Sequence, residues 1–212
     1  MNKKRVIWLV PVLVMALGMS ACKSEDDDDG GGGIGETLRF ADEEVFNKNG
    51  SPYIGDKSLT VDGGGTGLIK GGKLTFTIGR PNSMKSMTLL LRDIDARLGY
   101  NVFSYASNEP DDTLAFELIF ANLKKTSLTL VFPMEAIRYI WVEKDCVVKS
   151  PDTGIHPVTI NGISVEVSKF TLKLKKGWNA VGLLVTPAIG GTLSPTLVIG
   201  TGDSDNCKWV YE

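Results

Sequence analysis

The sequence predicts a mainly β fold: an antiparallel β-sandwich of Ig-like, Greek-key type with one short helix. Three observations predict it. Apolar and polar residues alternate in several short stretches, turn signals recur about every 8 to 15 residues, and a single segment carries helical spacing. Residues 36–212 read as one folded unit, long enough to bury about 70% of the surface its unfolded chain would expose, with two smaller sandwiches as the alternative.

The elements follow in order. Leu74, Phe76 and Ile78 alternate with Thr75 and Thr77, the pattern of a half-buried strand. Met87, Leu90, Leu91, Ile94 and Leu98 fall on one helical face, with Ser86 placed to cap the start and Gly99 to end it. Leu128, Leu130 and Phe132 alternate with Thr129 and Val131, and Ile163, Val165 and Val167 with Ser164, Glu166 and Ser168, giving two more strands. Asn161-Gly162 between "HPVTI" and "ISVEV" is the two-residue signal for a type I′ hairpin, because both residues tolerate positive φ. A second hairpin is expected in "KFTLKLKKGWNAVGLLV": Phe170, Leu172 and Leu174 on one face, a turn at Lys176-Gly177, and a return through Ala180 to Val185.

The amino terminus reads differently. Lys3, Lys4 and Arg5 precede an apolar stretch, Val6 to Gly18, shorter than the roughly 20 residues a bilayer span takes, as in a secretory signal peptide. It ends Met19-Ser20-Ala21-Cys22, which resembles the lipobox of bacterial lipoprotein precursors, with methionine where leucine is usual. The resemblance implies a signal peptide over 1–21, cleavage between Ala21 and Cys22, and a diacylglycerol thioether on Cys22. An ordinary secreted protein with a Cys22 thiol is the alternative.

Residues 22–35, "CKSEDDDDGGGGIG", are too polar and glycine-rich to bury apolar surface, so they are expected to form a solvated tether. The acid run from Glu25 to Asp29 resembles the surface-export signal of lipoproteins in a group of Gram-negative anaerobes; a plain spacer on a periplasm-facing lipoprotein is the other reading. Lys23 does not match the aspartate of the enteric inner-membrane retention signal, so the outer membrane is the expected location. The segment from Phe170 to Val210 also resembles, loosely, the carboxy-terminal half of all-β envelope lipoproteins from the same anaerobes, which implies fold and address without an activity.

Charge narrows the partners. Residues 36–212 carry 19 basic and 20 acidic side chains, because the tether holds five acids against one lysine. Such balance lacks the basic excess of a nucleic-acid binder, so the membrane is expected to be reached through lipid alone. With Cys22 lipidated, Cys146 and Cys207 remain as a candidate disulfide or as two buried thiols.

Catalytic patterns are few. The sole histidine, His156, excludes two-histidine zinc motifs such as H-E-x-x-H. Gly67 to Lys73 is a formal G-x-x-x-x-G-K, but Leu74 stands where Ser or Thr should bind magnesium and a strand follows, so a turn is expected instead of a phosphate cradle. The pairs Asp93/Asp95 and Asp111/Asp112 and the "GTGDSDN" loop match no calcium loop and read as turn acids. Neither a cofactor nor a metal is expected.

Tyr139, Trp141, Trp209 and Tyr211 alternate as core residues, whereas Trp178 is expected at an exposed hairpin tip and is the candidate for ligand contact. The resulting expectation is an outer-membrane-anchored, non-catalytic binding or structural module serving adhesion, envelope assembly or glycan capture. A surface hydrolase using paired carboxylates and a strand-exchanging fibre subunit are the alternatives.

Overall fold

A computed structural model describes residues 33–98, 102–106, 113–128, 134–151, 157–160, 162–187, 194–202 and 206–212. The signal peptide, Ala21, Cys22, most of the tether, Gly99, Asp111, Asp112, His156 and Asn161 lie outside the described residues. So does most of the strand expected at 128–132: Leu128 is a bend, and the strand nearby ends at Thr126.

The protein is mainly β with one helix, as expected. In chain order the elements are β1 (Gly33–Gly35), β2 (Leu38–Asn47), β3 (Lys57–Thr60), β4 (Thr66–Lys70), β5 (Lys73–Ile78), β6 (Lys85–Ser86) and α1 (Met87–Leu98). They continue with β7 (Ser104–Ala106), β8 (Leu114–Glu117), β9 (Leu123–Thr126), β10 (Met134–Val142), β11 (Cys146–Lys149) and β12 (Val158–Ile160). The remaining strands are β13 (Ile163–Val167), β14 (Thr171–Leu174), β15 (Gly177–Thr186), β16 (Thr196–Thr201) and β17 (Lys208–Tyr211).

A large sheet runs β12-β13-β16-β15-β10-β9-β17-β2-β5-β4-β3, and a small one runs β14-β11-β7. Pairing is mixed and not antiparallel throughout, because β13 lies parallel to β16 and β17 parallel to β2. β17 enters between β9 and β2, so it joins the meander of β2 to β5 to the rest of the sheet. The first residues also depart from expectation: Gly33–Gly35, read as tether, pair with β15.

The central strands β10 and β15 are covered on both faces. Ile140, Val142, Val181 and Val185 face one apolar cluster, while Tyr139, Trp141, Trp178 and Ala180 face another, so period two distributes one strand pair between two cores. The first cluster is closed by α1 and by the small sheet through Cys146, Val148, Leu172 and Leu174. The second is closed by the large sheet itself. Strands β2 and β10 are three places apart in the sheet, about 14 Å on a flat surface at roughly 4.8 Å per strand, yet the rings of Phe40 and Tyr139 lie 5.1 Å apart. The sheet must therefore curl over these aromatics.

A bulge in β2 tunes that curl. Four residues from Phe40 to Glu43 oppose three from Phe76 to Leu74, and Asp42 takes a φ of 57° to fit. The extra residue reverses the alternation, so Leu38 and Phe40 before it and Val45 after it all point inward. Glu43 turns inward too, accepting from Trp209 Nε1 at 2.6 Å and meeting Lys125 Nζ at 3.7 Å.

Local expectations are met where turn and cap chemistry decide. α1 begins where expected, and Ser86 Oγ accepts from the Leu89 amide at 3.4 Å. The formal phosphate-loop sequence is a hairpin between β4 and β5, with Gly71 and Gly72 both at positive φ. The pairing of Ile160 with Ile163 places the β12–β13 hairpin at Gly162 as expected.

The hairpin expected at Lys176-Gly177 does not form. β14 pairs with β11 in the small sheet and β15 with β10 in the large one, so the turn is an arch between layers. Asn179, fully buried, decides this. Its Oδ1 accepts from the Lys175 amide at 2.9 Å, and its Nδ2 donates to the carbonyls of Lys175 at 2.8 Å and Gly177 at 3.0 Å. One side-chain amide thus satisfies the backbone groups that a hairpin ladder would have paired. Asp145 adds an acceptor for the Lys176 amide at 2.7 Å.

Cys146 and Cys207 do not form the candidate disulfide: both are buried thiols, one in each cluster. We expect Asn179→Ala to lower unfolding free energy by about 3 kcal/mol, because it leaves buried backbone groups at the arch without partners. Asn179→Asp is expected to be at least as harmful, since a carboxylate oxygen would face two carbonyls; urea unfolding of both variants checks this.

Candidate functional site

Trp178 is not exposed. It is wholly buried, lies opposite Trp141 on the neighbouring strand, and donates from Nε1 to the Gly79 carbonyl at 3.1 Å. Because the chain arches at Gly177 instead of forming a hairpin tip, the ring is carried into the second cluster, where Phe116 meets it edge-on at 6.2 Å. Tyr139, Trp141 and Trp209 are buried in the same cluster as expected, and Tyr211 packs against it. The structure therefore offers no row of exposed tryptophans among these residues.

The paired acids also separate. Asp93 bonds to Lys85 on the surface, whereas Asp95 accepts from the amides of Val102 at 2.8 Å and Phe103 at 3.4 Å. Burial raises the Asp95 carboxyl above its ordinary 3.8, outweighing the two amides that favour its charged form. The Lys85 hydrogen bond and charge lower Asp93. These two neighbours thus have different partners and share no reacting position.

The site that emerges lies beneath α1. A cavity of about 550 Å³ opens between the helix, the small sheet and the large sheet. Met87, Leu91, Ile94 and Arg97 form one stripe of α1 along it, at helical spacing from the first turn to the last. Val148, Leu172 and Leu174 supply the wall from the small sheet, and Ile140, Val181 and Leu183 the wall from the large one. The deep end is tight, with Met87 and Leu174 almost wholly buried, while Ile94, Phe103, Met134, Ile160 and Leu183 are only partly covered.

Charge is concentrated at the other end of the helix stripe. The Glu117 side chain, at 1% exposure, lies between two arginines at 43% and 41%. Arg97 Nη2 donates to its Oε2, and Arg138 Nη1 donates to its Oε1 at 2.6 Å. The elements explain the convergence. Glu117 on β8 sits opposite Ile140 on β10, Arg138 is two residues away on that face, and Arg97 descends from the last turn of α1. A carboxylate this deep requires charged partners, and the two guanidiniums satisfy both of its oxygens.

Sequence reading missed all three residues, although each left a signal. Glu117 interrupts "LAFELIF", Arg138 interrupts "AIRYIWV", and Arg97 follows Ile94 by three on the apolar stripe of the helix. A second hollow of about 580 Å³ lies beside α1, shares Arg97 and Glu117, and is lined by Lys85, Asp93 and Phe116. Lys125 forms a separate interior cluster, its ammonium 3.2 Å from Tyr139 Oη and about 6 Å from the Tyr139 and Trp209 rings. Among the described residues no three of His, Cys, Asp and Glu are grouped to hold a metal ion, and no helix is long and apolar enough to cross a membrane.

Comparison with protein-family models, with curated proteins and with solved structures finds no match.

Two outcomes follow from this geometry. Glu117→Gln is expected to lower stability by about 2 kcal/mol, because the amide nitrogen would face a guanidinium where a carboxylate oxygen had been; urea unfolding reads the change. The raised Asp95 carboxyl makes the folded chain bind more protons than the unfolded chain between 3.8 and the raised value. That contribution to stability therefore falls as pH rises through the window. Asp95→Asn is expected to remove this component, which unfolding titrations from about pH 3 to 6 would reveal.

Proposed function

We propose that the chain is a lipid-anchored protein of a Gram-negative outer membrane whose β domain is a non-catalytic binding module, holding its ligand in the cavity beneath α1. The observation that carries this reading is the cavity itself: about 550 Å³, within the range of small-molecule sites, with partly exposed apolar walls and charge concentrated at one end. Apolar side chains left in contact with water are a standing driving force for an apolar ligand, worth roughly 25 cal/mol per Å² covered.

Binding fits the charged end better than hydrolysis. Glu117 engages an arginine with each oxygen, which leaves neither oxygen free to serve a reacting group. The anchor rests on the Met19 to Cys22 lipobox resemblance and the acidic tether that follows. The tether enters the fold at β1, beside the arch, so a ligand-bearing domain would hang from a point fixed to β15.

Two measurements test the reading. Cys22→Ser is expected to abolish incorporation of labelled fatty acid into the protein. Native mass spectrometry of that full-length variant, purified from its own envelope, is expected to show a small-molecule adduct that Leu183→Trp abolishes by filling the cavity. An adduct indifferent to Leu183→Trp would place the ligand elsewhere.

A further inference from the structure

We propose that the ligand is a long-chain carboxylate, a fatty-acid-like amphiphile, with its head on Arg97 and Arg138 and its alkyl chain under α1. This rests on the preceding assignment of the cavity as the binding site and names the ligand class. Charge selects the head group. Where α1 ends, two cations, Arg97 and Arg138, stand against one carboxylate, Glu117. The excess of one positive charge matches a monoanion.

Donor geometry agrees with charge. Glu117 lies behind the arginines at 1% exposure, and the guanidiniums stand in front of it at 43% and 41%. Arg138 gives one nitrogen to Glu117, and Arg97 gives Nη2 to Glu117 and Nε to the Asp93 carbonyl at 3.2 Å. Each guanidinium has five donors, so both retain N–H groups for a second carboxylate. Glu117 thereby acts as a positioning residue that fixes two forks at the open end of an apolar cavity.

Length selects the tail. From Arg97 to Met87 the helix rises about 15 Å at 1.5 Å per residue. With C–C bonds of about 1.5 Å, an extended alkyl chain of roughly a dozen carbons spans that distance. The side chains along it, Ile94, Leu91 and Met87, become progressively more buried away from the arginines. Each methylene placed there contributes roughly 0.8 kcal/mol.

The test uses the full-length Cys22→Ser chain, which carries no acyl group. Dodecanoate, dodecanol and dodecyltrimethylammonium compete for the cavity against an environment-sensitive apolar dye. Dodecanoate is expected to displace the dye at a concentration at least about tenfold lower than the other two. Arg97→Gln and Arg138→Gln should each erase that preference, so that dodecanoate and dodecanol displace the dye equally. Arg97→Lys, which keeps the charge beside Glu117 but not the fork, should retain part of it and guards against a folding defect. Equal displacement by all three probes would overturn the carboxylate assignment while leaving the cavity as a binding site. Failure of every probe, with dye binding insensitive to Leu183→Trp, would overturn both.

Discussion

The fold depends on one side-chain amide. Asn179 gathers the Lys175 amide and the Lys175 and Gly177 carbonyls into its own hydrogen bonds, so the chain can leave the small sheet and enter the large one with no strand partner at the corner. Without those bonds, the arch would bury unpaired backbone groups, and a hairpin would be the cheaper course. Because the arch forms, β14 and β15 belong to different layers, and Leu172 and Leu174 face Val181 across an apolar space instead of lying beside it.

That separation of layers creates the cavity. Two sheets joined by a hairpin would present one continuous surface, whereas two sheets joined by an arch enclose a slot, here bounded along one side by α1. The apolar groups inside fill it incompletely, since Ile94 and Leu183 remain partly exposed within an otherwise close-packed cluster. The other half of the protein solves the same problem differently. There the large sheet curls over Phe40, Tyr139 and Trp209, and the β2 bulge turns Glu43 inward to meet the indole and the lysine that curling brings together. One core is dense and aromatic; the other is aliphatic and open.

Much of this was legible locally. The alternation of Leu74, Phe76 and Ile78, the capped stripe of α1 and the glycine turns are set by neighbours in sequence, and the structure repeats them. Long-range choices were hidden. "KKGWN" contains the residues of a tight turn, and only the burial of Asn179 distinguishes an arch from a hairpin, which also reversed the expected exposure of Trp178. The three charged residues at the cavity were unreadable as a group because they come from α1, β8 and β10; each appeared only as an interruption of an apolar run. The fate of Cys146 and Cys207 likewise turned on which core each strand faced, which spacing along the chain does not record.

The position of β17 bears on how the protein is made. Its four residues bind β9 on one side and β2 on the other, and Trp209 reaches Glu43 across 166 positions of sequence. Until Lys208 to Tyr211 arrive, the two portions of the large sheet have no ladder between them, and the aromatic core lacks one of its indoles. Closure therefore waits on contacts between distant parts of the chain, the slowest kind to find.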